Sequence, residues 1–243
     1  MTVVRIESDA DERLADFRNI PDPDLLVRRG LFVAEGRLVV TRLLESGLQT
    51  RALLVTETAL ASLGESIGHG GFPIYVVTQA VMSSVAGFNF HRGCLAVGVR
   101  PAARDWRQVA SGKRRLVILE RVGNVDNVGA IFRNAAAFGV EGVLLQADCA
   151  DPLYRKAIRT SMAASLQIPY AMAPWPDALR ELGEAGWATI AMTPAADAPL
   201  LELVTPTLVD RPIAIVLGHE GDGLTDEACR ACTHRARIAM ADG

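Results

Sequence analysis

The stretch from Leu116 to Leu145 reads LVILERVGNVDNVGAIFRNAAAFGVEGVLL, and its pattern decides the fold of the chain. Leu116-Val117-Ile118-Leu119 is a short, wholly apolar run, the composition of a strand buried on both faces of a parallel sheet. Gly123, Asn124, Asp126, Asn127 and Gly129 follow; these are turn and cap residues that let backbone amides approach a ligand. From Val128 the apolar side chains fall at Val128, Ile131, Phe132, Ala135 and Phe138, which is helical spacing. Gly139 ends that helix, and Val143-Leu144-Leu145 opens a second apolar strand. A strand–loop–helix–strand unit of about 30 residues predicts a right-handed βαβ crossover with parallel strands. It puts Arg133 on the second turn of the helix, among apolar neighbours, where an arginine needs a partner or a ligand.

Beyond this unit the chain continues strand by helix. Asp151-Pro152 predicts a helix to about Leu166, with Pro152 in its first turn. A second helix runs from Pro176 to about Ala185 and is closed by Gly186. Ala188–Met192 is the next strand, and the loop Thr193-Pro194-Ala195 at its carboxyl end is placed to border a cofactor. Ile213–Leu217 is a buried strand followed by Gly218-His219-Glu220-Gly221-Asp222-Gly223-Leu224. Ligands of open α/β sheets bind at that carboxyl edge. Three glycines and two acids there, Glu220 and Asp222, predict backbone wrapped around a ligand, with Glu220 aimed at a polar group. The glycine order G-x-x-G-x-G is not the dinucleotide fingerprint, which disfavours a nicotinamide enzyme.

Residues 1 to about 100 read as a unit of their own. Strands are expected at Leu31–Ala34, Leu53–Val55, Ile74–Val77 and Leu95–Val99. Helices with cap signals at Glu35-Gly36, Thr56 and Thr78 fall between them, the pattern of a small α/β domain. Arg28, Arg29, Arg37 and Arg42 cluster around the first strand and helix. Spacing alone leaves open whether they form a phosphate-contacting face or a solvated one. The same choice holds for Tyr154, Arg155, Lys156 and Arg159 in the catalytic half. The polar stretch 101–113 is the expected linker.

The totals narrow the class. The chain has 243 residues, half of them hydrophobic, and a formal net charge of −3. There is material for a sizeable core, and the charge alone does not point to nucleic acid, although one basic face suffices for that. No apolar run approaches the ~18 residues of a membrane span. The acidic amino terminus, MTVVRIESDADERL, lacks the form of a signal peptide. A soluble cytoplasmic protein is expected. Lys113 and Lys156 are the only lysines, so the cations are almost all arginine. Cys229 and Cys232 have CxxC spacing with His234 nearby, but Cys94 and Cys149 are isolated, and a zinc site would want a second ligand pair. No metal is expected.

The run Asn127-Val-Gly-Ala-Ile-Phe-Arg133-Asn-Ala-Ala-Ala-Phe-Gly139 resembles the first motif of the SpoU (TrmH-like) RNA ribose 2′-O-methyltransferases of the SPOUT superfamily. Gly218–Leu224 resembles their second motif. Phe32-Val-Ala-Glu35-Gly36 and Gly93-Cys-Leu-Ala96 resemble the ribosomal-protein-like, RNA-binding domain that many of these enzymes carry in front. The resemblance implies an N-terminal substrate-binding domain over 1–100, a linker over 101–113 and a SPOUT domain over 114–243. It also implies a parallel sheet with trefoil-knot topology. Methyl transfer from S-adenosylmethionine to a ribose 2′-hydroxyl follows, without a metal, in a homodimer. The catalytic roles map onto Asn127, Arg133 and Glu220. Thr193, Leu217, Gly218, Gly223, Ile238 and Met240 would hold the cofactor. Arg28, Arg29, Arg37, Arg42, Arg155, Lys156 and Arg159 would meet the RNA.

Arg235-Ala-Arg-Ile238-Ala-Met240 matches the start of the family's last motif, and the sequence stops at Gly243 before the Ser-Leu-Asn segment and the knot-closing helix. That tail is expected to lie outside the sequence given. Ribosomal RNA is favoured over transfer RNA by the extra N-terminal domain. A non-catalytic RNA-binding or ribosome-assembly protein on the same scaffold is the alternative.

Overall fold

The computed structural model describes residues 2–68 and 71–239, and Met240 with the expected knot-closing tail falls outside that range. The chain forms two compact units, residues 1–102 with 151–167, and residues 103–150 with 168–243.

The first unit is built on a mixed five-stranded sheet. Its strands are β1 (Thr2–Arg5), β2 (Leu31–Glu35), β3 (Thr50–Val55), β4 (Pro73–Val76) and β5 (Cys94–Val99), in the order β1-β4-β3-β5-β2. β1, β4 and β3 run parallel, while β5 is antiparallel to both β3 and β2. Helices Arg37–Glu45, Glu57–Leu63 and Gln79–Ala86 connect them. Thr56 and Thr78 cap the last two by accepting from the amides of Ala59 and Val81, as the sequence led us to expect. β1 went unread because TVVR is short and lies in an acidic segment. One core gathers Phe17, Leu25, Leu54, Met82, Phe90 and Val97.

The second unit holds a six-stranded, all-parallel sheet: β6 (Arg115–Leu119), β7 (Gly142–Leu145), β8 (Tyr170–Met172), β9 (Ala188–Met192), β10 (Ile213–Leu217) and β11 (His234–Ala236). The order is β11-β9-β10-β6-β7-β8. The expected parallel α/β architecture is therefore present, and the strands predicted at 188–192 and 213–217 carry those bounds. The centre of the sheet is β10 between β9 and β6. Both neighbours are buried over four of their five residues, as strands of a covered parallel sheet are.

Three elements differ from the sequence reading. The helix after β6 spans Val125–Ala137, starting earlier because the Asn124 side chain accepts from the Asp126 amide and caps it, which puts Asn127 inside the first turn. The single helix expected from Asp151 to Leu166 is only Arg155–Thr160. There the Ser161 hydroxyl turns back onto the Ile158 carbonyl, and Met162 and Ala163 adopt left-handed φ values of 54° and 67° that break the helix. This segment packs within the first unit. Residues 101–113, expected as linker, contain a helix over Trp106–Ala110 whose Trp106 and Val109 join the second unit's core.

Candidate active site

β6, β9, β10 and β11 are neighbours and parallel, so their carboxyl ends present one continuous edge. The loop 218–224 leaves the end of β10 at this edge. It is closed on itself: the His219 amide donates to the Gly223 carbonyl at 3.2 Å and the Gly223 amide donates back at 3.0 Å. The His219 ring completes the closure, its Nδ1 accepting from the amides of Gly221 at 3.0 Å and Asp222 at 3.1 Å. Gly218 has no room for a side chain, since a Cβ there would stand 2.4 Å from the Gly223 carbonyl carbon and from the Leu224 nitrogen. Gly218→Ala is expected to force this loop open at a cost of about 2 kcal/mol, read as a lower denaturation midpoint of the second unit.

The loop points Glu220 at the helix of the first motif. Its Oε1 accepts from Asn127 Nδ2 at 2.8 Å and from the Asn124 amide at 3.3 Å. The two motifs, 93 residues apart in sequence, thus meet through one carboxylate. Burial pushes the Glu220 carboxyl up, but the Asn127 amide, the backbone amides of Glu220 and Asn124 and the nearby His219 outweigh it and hold it below its ordinary value of 4.5. The sign follows: the folded state favours the carboxylate, so these contacts stabilise fully above that ordinary value and fade as pH falls through the lowered one. Any stability advantage of the native protein over Glu220→Gln is therefore expected to shrink on acidification below about pH 4.5, measured by denaturant titration at a series of pH values.

Between loop and helix lies a cavity of about 250 Å³, lined by Val122, Asn127, Ala130, Asn134, Gly218 and Glu220 among others. Asn127, Ala130 and Asn134 share one helix face. Arg133 lies off that face. It is exposed, and no hydrogen bond or ion pair holds its guanidinium among the described residues. The buried setting expected for it is absent, because Val128, Phe132 and Ala135 take the core side.

Of the predicted cofactor residues, Thr193, Leu217, Gly218 and Gly223 lie at or just after the ends of β9 and β10, and Ile238 follows β11. The Thr193 amide donates to the Ala236 carbonyl at 3.0 Å, tying two of these ends together. Ile238 is 63% exposed, an apolar side chain uncovered beside the polar edge. Met240 lies outside the described residues.

Several of the predicted RNA-contacting residues have partners inside the first unit. Arg28 and Arg29 pair with Asp24 and Asp16, and Arg42 donates to the Met162 carbonyl. Arg155 is largely buried and bonded to Asp22 and the Ile20 carbonyl, so its charge supports the fold of the first unit. Arg159 stands 3.7 Å from Glu35, and Lys156 is exposed on the same helix. Arg37 is exposed and, among the described residues, bonds only the Ser62 hydroxyl.

Two residues that the sequence reading passed over shape the site. Arg121, just after β6, has a left-handed φ of 53° and reaches the loop at Gly223 and Asp222. Glu120 is fully buried and accepts from Trp175 Nε1 at 2.7 Å, the Thr225 amide at 2.8 Å and the Thr225 hydroxyl at 2.7 Å. A glutamate directly after four apolar strand residues is the signal that would have marked it. Among the described residues no group of three or more side chains is arranged to hold a metal, and no helix is long and apolar enough to cross a membrane.

A parallel sheet with two motif loops meeting at its carboxyl edge is the arrangement with which open α/β folds bind ligands. Residues 114–243 match the SpoU rRNA methylase family. An uncharacterized tRNA/rRNA methyltransferase of Mycobacterium tuberculosis is 41% identical over 238 residues, covering 96% of this chain and 83% of that protein. A crystal structure of an rRNA methyltransferase from Sinorhizobium meliloti superposes with a TM-score of 0.85 at 23% identity, covering 99% of this chain and 91% of that one. The same enzyme with AdoMet bound gives 0.84, with 99% and 90% covered at 23% identity. The chain belongs to the SpoU rRNA methylase family and is an S-adenosylmethionine-dependent RNA methyltransferase.

Proposed function

We propose that this enzyme methylates a ribose 2′-hydroxyl of cytoplasmic RNA, with ribosomal RNA as the substrate, and that it works as a homodimer. The observation that carries the reading is the Glu220 carboxylate bonded to Asn127 and the Asn124 amide, which joins the two motif loops; Arg133, unbonded among the described residues, is on the same helix as Asn127. A fold likeness to a structure titled RNA 2′-O ribose methyltransferase, TM-score 0.79 at 23% identity, agrees with it.

S-adenosylmethionine supplies an activated methyl group. The residues present suit it: the closed loop at Gly218 offers backbone groups, Thr193 and Leu217 flank the edge, and Ile238 offers apolar surface. The transfer is an in-line displacement, so holding the ribose in place supplies much of the acceleration. Asn127 and Glu220 orient the ribose, and Arg133 holds the adjoining phosphate. A guanidinium is a fixed positive charge, so Arg133 assists by stabilising the forming alkoxide rather than as a base. Lys156 and Arg159 join Arg37 as RNA-facing cations. The exposed Phe138, at the end of the first-motif helix, supplies apolar surface for a second copy to cover.

The substrate choice is tested by offering labelled S-adenosylmethionine with purified ribosomal RNA or transfer RNA. Label entering ribosomal RNA supports the reading, and label entering transfer RNA alone overturns it.

A further inference from the structure

The first unit contains a cavity of about 740 Å³ at the carboxyl ends of β1, β3 and β4. That is the size of a small-ligand site, at the sheet edge where open α/β folds bind ligands. We infer that this cavity captures a single unpaired nucleotide of the RNA, with Arg37 and Arg92 on its phosphate. The inference rests on the reading of the chain as an enzyme acting on RNA.

Arg92 is seated by the fold. Gly36 has a φ of +88°, and a Cβ there would stand 3.2 Å from Arg92 Cδ, so the arginine stem lies across a bare backbone. The Gly36 amide donates to the Cys94 carbonyl at 3.0 Å, which locks the two loops together beneath it. Among the described residues no hydrogen bond or ion pair holds the Arg92 guanidinium. Arg37, next to Gly36, also lines the cavity and bonds the Ser62 hydroxyl at 3.2 Å. Two guanidiniums suit a phosphodiester.

The other wall is acidic. Glu7 and Glu57 line the cavity, and Glu57 holds Arg5 at 2.8 Å. Carboxylates repel a bare phosphate but accept from ribose hydroxyls and from exocyclic amino groups of bases. Such a mixed lining fits a whole nucleotide better than an anion. A base reaches a cavity only when it is unstacked, and single-stranded loops present such bases while A-form helices do not. Arg28, Arg29 and Arg42, tied within the unit, would add little to this contact.

The test is fluorescence anisotropy of the full-length protein with a labelled RNA hairpin bearing an unpaired loop, against a fully paired duplex of equal length at fixed salt. Replacing Arg37 and Arg92 together by Ala is expected to weaken hairpin binding at least about tenfold and duplex binding less than about threefold. Replacing Arg28 and Arg29 together by Ala is expected to change both by less than about threefold. Equal loss on both RNAs, or no loss on the hairpin, overturns the inference. Titrating S-adenosylmethionine into the same proteins by calorimetry reads the catalytic unit separately. If the cofactor fails to bind while the hairpin selectivity holds, the methyl-transfer reading falls and the nucleotide cavity stands.

Discussion

Arg133→Ala is expected to lower the rate of methyl transfer by about 10²–10³-fold while leaving the fold intact. The side chain is exposed and unbonded among the described residues, so its loss removes no internal contact. Surface changes of this kind usually stay within about 0.5 kcal/mol of the parent. Arg133 stands on the third turn of the helix whose first turn carries the clamped Asn127, and its exposed guanidinium is open to an incoming charge. Arg133→Lys keeps the charge and loses the flat fork, so it is expected to recover part of the rate. Rates under saturating cofactor, with circular dichroism and melting on the same samples, check both halves. Full activity in Arg133→Ala contradicts the role, and so does loss of activity that merely follows loss of structure.

Glu120→Ala carries the largest expected cost in stability. Glu120 is fully buried, and both of its oxygens are engaged by Trp175 and Thr225. Removing the carboxylate leaves the indole N–H and the Thr225 amide without an acceptor, and each such orphan costs about 1–3 kcal/mol. A loss of about 3 kcal/mol is expected. The consequence reaches the site, because Thr225 is the N-cap of helix Asp226–Ala231 and ends the loop that carries Glu220. Glu120→Gln keeps the shape and one acceptor oxygen, and is expected to cost less. Guanidinium titration of the three proteins checks the order native, Glu120→Gln, Glu120→Ala. An unchanged midpoint for Glu120→Ala would mean that the network carries no weight.

Much of the second unit was legible because its strands are largely apolar runs near glycines, uninterrupted at 213–217 and broken only by Thr189 at 188–192. The motif loops were legible because glycine and asparagine at a strand end serve few purposes other than close approach. β11 was read only as the start of a motif. At three residues it is too short to show a period, and its pairing with β9 depends on chain 44 residues away. The break after Thr160 was hidden because Ser161-Met162-Ala163 carries no glycine or proline, and its left-handed turn is imposed by packing. The helix over Trp106–Ala110 was hidden by the charges around it, since one buried Trp106 decides its position. The arginines were the least legible: Arg28, Arg29 and Arg155 look alike in sequence to Arg37 and Arg92, and only the structure shows which of them pair with acids, distant in sequence for Arg29 and Arg155.

The central claim is methyl transfer to a ribose oxygen at the edge where Glu220 meets Asn127, with Arg133 on the same helix. Its most direct test is to incubate the full-length protein with ribosomal RNA and S-adenosylmethionine carrying a labelled methyl group, digest the RNA to nucleosides and identify the labelled species by mass spectrometry. The account predicts one 2′-O-methylnucleoside, absent when Arg133 is Ala. Label found only on a base, or equal labelling by the Arg133→Ala protein, would contradict it.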